Sequence, residues 1–184
     1  MKADLSVAGD VSKLAADAAK SAGRIDILVN SASLYFKTPP ETASEADWDK
    51  LMDANLKGPF LLSLEIGRRM LKQGGGKIVN IADWSGFRPY KDYSAYCTSK
   101  GGLITLTKAL ARDLAPKVCA NAVAPGPVLA PPDMSDAEKE AVAKTTALGR
   151  WGKPEDVAYA VIFLIENDFV NGTVLVVDGG RSLV

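Results

Sequence analysis

At 184 residues the chain is long enough for one domain with a buried core, and its 22 basic and 22 acidic side chains leave no charge excess to draw nucleic acid. The absence of histidine excludes a His-based triad and most zinc sites, and Cys97 and Cys119 have no CxxC or metal spacing, as expected of free thiols in a cytoplasmic protein. No apolar run approaches a membrane span and the opening MKADLSVAG is not a signal peptide, so neither a membrane nor a metal is an expected partner.

The first helical pattern is DVSKLAADAAKSAG (10–23), rich in alanine and closed by Gly23 at a C′ position. IDILVN (25–30) follows as a strand. EADWDKLMDANLKGPFLLSLEIGRRMLKQGGG (45–76) reads as one long helix, with helical spacing through Trp48, Leu51, Met52 and Asn55 and three glycines at its end. Pro59 inside it has no N–H, so the carbonyl of Asn55 loses its ordinary partner and needs another donor, usually water. KIVNIA (77–82) is a second strand; like the first it is apolar without clean alternation, as in a parallel sheet covered on both faces. DYSAYCTSKGGLITLTKALARDLAP (92–116) is a helix stopped before Pro116, and VCANAVA (118–124) is a third strand. PGPVLAPPDM (125–134) holds four of the ten prolines and forms an irregular loop just past a strand's C-terminal end, where open α/β sheets bind ligands. SDAEKEAVAK (135–144) opens with a capping box, PEDVAYAVIFLIEN (154–167) carries proline in its first helical turn, and TVLVVD (173–178) is the last strand. Strand and helix alternate, which predicts a single α/β domain over 1–184 with a parallel sheet and right-handed crossovers.

Two features in this order of elements carry chemistry. Tyr96 and Lys100 lie four apart and share a helical face, where an ammonium can lower a phenol's pKa; the alternative is an ordinary surface pair. Asp83 stands thirteen residues before the tyrosine. An ionised carboxylate only accepts, and facing a carbonyl oxygen it would repel the charge of a developing alkoxide. It suits a substrate that offers N–H donors, or the acid stays protonated, or else it caps the turn after strand 77–82. Trp84 beside it lines a pocket or packs on the surface.

Taken together, Asp4-Leu5, Asn30-Ser31-Ala32-Ser33, Asn55, the Tyr96-to-Lys100 box, Asn121 to Gly126 and Val177-Asp178-Gly179-Gly180 resemble the short-chain dehydrogenases/reductases, from residue 4 to the C-terminus. The resemblance implies a Rossmann-like, doubly wound sheet and NAD(P) as cofactor, with NADPH the expected form. It implies Tyr96 as the acid/base, Lys100 holding the nicotinamide ribose, and Asn55 as the catalytic asparagine whose carbonyl holds a proton-relay water. Asp4 would reach the adenine, while Asn30 and Ala32 would line the cofactor unless they form a simple turn. Pro125, Gly126 and Val128 would flank the nicotinamide, although Ala130 replaces the threonine that contacts the phosphates. Most of the family has serine at position 83, and aspartate there is similar to the pteridine reductases and dihydromonapterin reductases. In that branch Ser33 would meet the substrate and Tyr35 would stack a pterin, with Asp83 binding its N–H groups. Pairing of helices 45–72 and 93–115 between subunits would give a homo-oligomer, a dimer or tetramer.

The family's glycine-rich phosphate turn is not found in these residues, and Gly74-Gly75-Gly76 lies between a helix and a strand, the wrong order. The expected architecture is therefore an N-terminally truncated domain holding strands 4 to 7 of the family, with roughly 60 residues of two βα units lost before it. Strand 25–30 would then be an exposed apolar edge, and the residue that decides between NAD and NADP would be absent. Two functions follow. One is an oxidoreductase reducing a carbonyl or a pterin C=N; the other is a non-catalytic oligomerisation or interaction protein.

Overall fold

The computed structural model describes residues 1–184. Four parallel strands, β1 (Ile27–Asn30), β2 (Gly76–Ile81), β3 (Val118–Pro125) and β4 (Val174–Val177), form one sheet in the order β1-β2-β3-β4. Each connection passes through helix, as parallel pairing requires. The helices are α1 (Ala8–Ala22), α2 (Glu45–Met52), α3 (Gly58–Gln73), α4 (Ser94–Asp113), α5 (Asp136–Ala143) and α6 (Pro154–Glu166).

The helix expected over 45–76 is broken. A π turn, Asp53–Lys57, separates α2 from α3, and there the Gly58 N–H reaches back to the Asp53 carbonyl. Pro59 explains the break: it cannot donate to the carbonyl of Asn55, so the ladder widens by one residue. The Ser135/Glu138 capping box opens α5 as expected.

Strand alternation sorts the core. Ile78 and Ala120 face α1, α3 and α4, packing with Val11, Met70 and Leu110. Val79 and Val123 face the other way, against Ala160 and Leu164 of α6. The sheet is thus covered on both faces, which is why its strands read as continuous apolar runs. β1 is an edge, and Ile27 and Val29 are 46% and 40% exposed. No helix is long and apolar enough to cross a membrane.

One polar chain crosses the first face. Asn30 pairs in register with Asn80, and its amide donates to Asn80 Oδ1 at 2.8 Å and to Ser63 Oγ of α3 at 3.0 Å. Asn80 in turn donates to Thr107 Oγ1 of α4 at 2.9 Å.

Candidate active site

The C-terminal ends of the strands deliver the expected residues to one edge of the sheet. β2 ends at Ile81, and Asp83 then caps the short 3₁₀ turn Trp84–Gly86, its Oδ1 accepting from the Ser85 N–H at 2.7 Å. The other oxygen, Oδ2, accepts from the Tyr96 hydroxyl at 3.1 Å. One oxygen of Asp83 therefore caps the turn, as one of its two readings expects, and the other meets the Tyr96 hydroxyl. Gly86 makes the approach possible. A Cβ there would stand 2.8 Å from Ile104 Cδ1 and 3.1 Å from the Gly101 nitrogen, so only glycine lets the turn rest on α4.

Lys100 lies one helical turn beyond Tyr96 and is 2% exposed. Its Nζ donates to the Ile81 carbonyl at 3.0 Å and sits 5.8 Å from the tyrosine ring centroid. Burial pushes this ammonium down to about 8, with the charge of Asp83 pulling the other way. The phenol of Tyr96 does not move down as the spacing with Lys100 suggests. Burial raises its pKa, and the Asp83 carboxylate raises it further by charge and by hydrogen bond, so Tyr96 keeps its proton. Burial sets the direction, and the carboxylate, which touches the phenol as the lysine does not, adds to it.

Asn55, on the π turn, is fully buried and its side chain is the site's fastener. Oδ1 accepts from the Leu34 N–H at 2.7 Å and from Ser33 Oγ at 3.3 Å, while Nδ2 donates to the Leu34 carbonyl at 2.9 Å and to Ser99 Oγ at 3.1 Å. Ser99 donates to the Tyr96 carbonyl at 2.7 Å. The loop carrying Ser33 and Tyr35 is thereby tied to the helix carrying Tyr96. Sequence reasoning overlooked Ser99, though its place three residues after the tyrosine on the same helix was a usable signal.

Aromatic rings wall the site. Tyr35 meets Tyr96 edge-on at 4.8 Å and stacks on Tyr93 at 4.7 Å; Tyr93 meets Tyr90 at 5.8 Å, and Tyr90 meets Trp84 at 5.1 Å. Trp84 is buried and donates to the Tyr90 hydroxyl, so it belongs to this wall rather than the surface.

The remaining predicted residues fall on either side. Asp4, Ala32 and Ser33 line a cleft of about 660 Å³, where the Asp4 carboxylate accepts from the Ser6 N–H and hydroxyl, which hold its pKa below the usual range. Pro125 ends β3, and Gly126 closes on β4, its N–H donating to the Val177 carbonyl at 2.9 Å. Val128 lines a separate cleft of about 350 Å³ together with Gly152 and Asp178.

The nicotinamide half of a dinucleotide fits these residues. Lys100 makes one hydrogen bond with three N–H donors, and Asn30 Oδ1 is a buried acceptor with no donor in the chain, at the end of β1. The pyrophosphate half finds no glycine cradle here. A Cβ at Gly75 would stand 2.9 Å from the Lys117 carbonyl oxygen and one at Gly76 2.5 Å from Met70, so those glycines serve packing.

A family model described as enoyl-(acyl carrier protein) reductase matches residues 1–182. An NAD-dependent glycerol dehydrogenase from Listeria innocua is 34% identical, with all of this chain matching 74% of that protein. A 3-oxoacyl-[acyl-carrier-protein] reductase, FabG, from Rickettsia prowazekii is 38% identical over 87% of this chain and 68% of its own length. Among solved structures, a short-chain dehydrogenase/reductase from Burkholderia xenovorans superposes with a TM-score of 0.92 at 34% identity, covering all of this chain and 74% of its own.

Proposed function

Because the chain belongs to the short-chain dehydrogenase/reductase family, we propose that it is an NAD(P)-dependent oxidoreductase that reduces a carbonyl or a pterin C=N, with Tyr96 as the acid/base. What supports this most is the Tyr96 hydroxyl at 3.1 Å from Asp83, on a helix that also buries Lys100. NADPH is the form we assign, in a cytoplasmic homo-oligomer.

When bound, the dinucleotide supplies the hydride. Tyr96 holds the accompanying proton on Oη, and its raised pKa keeps the proton there until a more basic substrate atom accepts it. Lys100 would hold the nicotinamide ribose through its two uncommitted N–H groups. Asn55 keeps Ser33 and Tyr35 over the reacting centre. Asp83 selects the substrate. Its carboxylate opposes an alkoxide but accepts from amino and ring N–H groups, so a pterin suits it better than a plain ketone. Tyr35 offers such a ring a flat face to stack on.

The test follows NADPH oxidation by the purified protein with 7,8-dihydrobiopterin and with a simple ketone. Tyr96→Phe is expected to lower turnover by about 10²–10⁴-fold while dinucleotide binding is kept; unchanged turnover would remove Tyr96 from the mechanism. Asp83→Ser is expected to weaken pterin reduction more than ketone reduction. An equal loss on both would leave Asp83 only its cap.

A further inference from the structure

The aromatic wall has a cation at its Trp84–Tyr90 end. The guanidinium of Arg181 lies over the Trp84 ring at 4.7 Å and the Tyr90 ring at 5.5 Å. Its backbone is held on both sides. The Asp178 carboxylate accepts from the Gly180 N–H at 2.9 Å and the Ser182 N–H at 2.7 Å, and Arg88 donates to the carbonyls of Ser182 and Val184. Gly180 has φ +76°, and a Cβ there would meet Ala147 at 2.8 Å, so this turn is built close against its neighbour.

The charge so held has no counterpart in the chain. No carboxylate oxygen lies within 4.0 Å of the Arg181 guanidinium, since the seven ion pairs of the molecule all involve other residues. Arg181 is only half-buried, so its donors still reach solvent. A stacked guanidinium keeps its plane fixed and its fork of N–H donors free, the arrangement that reads a carboxylate or phosphate bidentately. Burial raises the pKa of the Tyr90 phenol, the charge of Asp83 raises it further and that of Arg181 lowers it.

We propose that Arg181 is a specificity-determining residue that receives an anionic substituent of the substrate, a carboxylate or a phosphate, at the Trp84–Tyr90 end of the wall. The substrate class narrows accordingly. It carries a reducible, N–H-bearing group toward Tyr96 and Asp83 and a negative group beyond the rings. That placement rests on the oxidoreductase reading, but the anion site itself can be measured without turnover.

The experiment uses the quenching of Trp84 fluorescence, with Trp48→Phe and Trp151→Phe introduced to leave a single indole. Benzoate, phenyl phosphate and the neutral benzamide are titrated in turn. At least one anion is expected to bind about tenfold or more tightly than benzamide, and the tighter of the two names the source. Arg181→Met should abolish that preference and Arg181→Lys should keep part of it, with circular dichroism checking that each variant is folded. Equal binding of all three probes, binding of none, or a preference that survives in folded Arg181→Met would overturn the proposal. Because the readout needs neither dinucleotide nor turnover, its failure stays distinct from a failure to reduce pterin or ketone.

Discussion

Replacing Lys100 by Met removes a buried ammonium and should change how stability depends on pH. In the folded chain this group titrates near 8, against 10.5 for an unperturbed lysine. Between those values the unfolded chain binds more protons than the folded one, so the stability of the wild type rises with pH across the window. Below it both states hold the proton and the desolvation penalty is complete; above it neither does and the penalty is gone. A separation of about 2.5 units at about 1.4 kcal/mol each comes to about 3 kcal/mol. Urea unfolding of both proteins, at steps from about pH 7 to about pH 11, reads this directly. The stability of Lys100→Met minus that of the wild type should stay level up to about pH 7.5 and then fall by about 3 kcal/mol as the wild type recovers. Its level part also contains the lost bond to the Ile81 carbonyl, so only the slope is diagnostic. The buried tyrosines titrate in both proteins and largely cancel. A difference that stays flat across the window would refute the reasoning, because the ammonium would then be as easily held folded as unfolded.

Asn55→Ala strands the part-buried N–H and carbonyl of Leu34 and should cost about 1–3 kcal/mol in urea unfolding, with a raised KM as the Ser33–Tyr35 loop comes free. A loss below about 1 kcal/mol would mean that the loop is held elsewhere. Gly126→Ala drives a Cβ to 2.7 Å from the Cα and Cβ of Asp178, and a melting experiment should show a loss of about 1–3 kcal/mol. An unchanged melting temperature would mean that β3 and β4 can part without cost.

The sequence already contained most of the fold because its signals are local. Apolar runs of strand length, the Ser135/Glu138 box and Pro154 each fix an element within a residue or two of where it lies. The π turn was half-legible. Pro59 announced a lost hydrogen bond, but whether the helix would kink or widen depends on what packs around it. Tyr96, Lys100 and Asp83 could be picked out by spacing, whereas the direction of the tyrosine's pKa could not. It depends first on burial and then on a 3.1 Å contact with Asp83 across two elements, neither of which spacing encodes. Arg181 was invisible for the same reason, since its partners Trp84 and Tyr90 are far away in sequence and only the folded tail brings them together.

The amide chain from Asn30 through Asn80 to Thr107 also acts as an alignment pin. β1 has only four residues, and its exposed apolar side chains give it little preference for one pairing over another. A slip of one position would set Val29 against Asn80 and move Asn30 away from the only amide that can receive it. The loop that follows, with Ser33 and Tyr35, would shift by about 3.3 Å, one residue's rise along the strand. Where Tyr35 stands against Tyr96 is therefore set partly at a distance, by the hydrogen bonds of Asn30 to Asn80 and Ser63 inside the sheet, together with the hold of Asn55 on the loop itself.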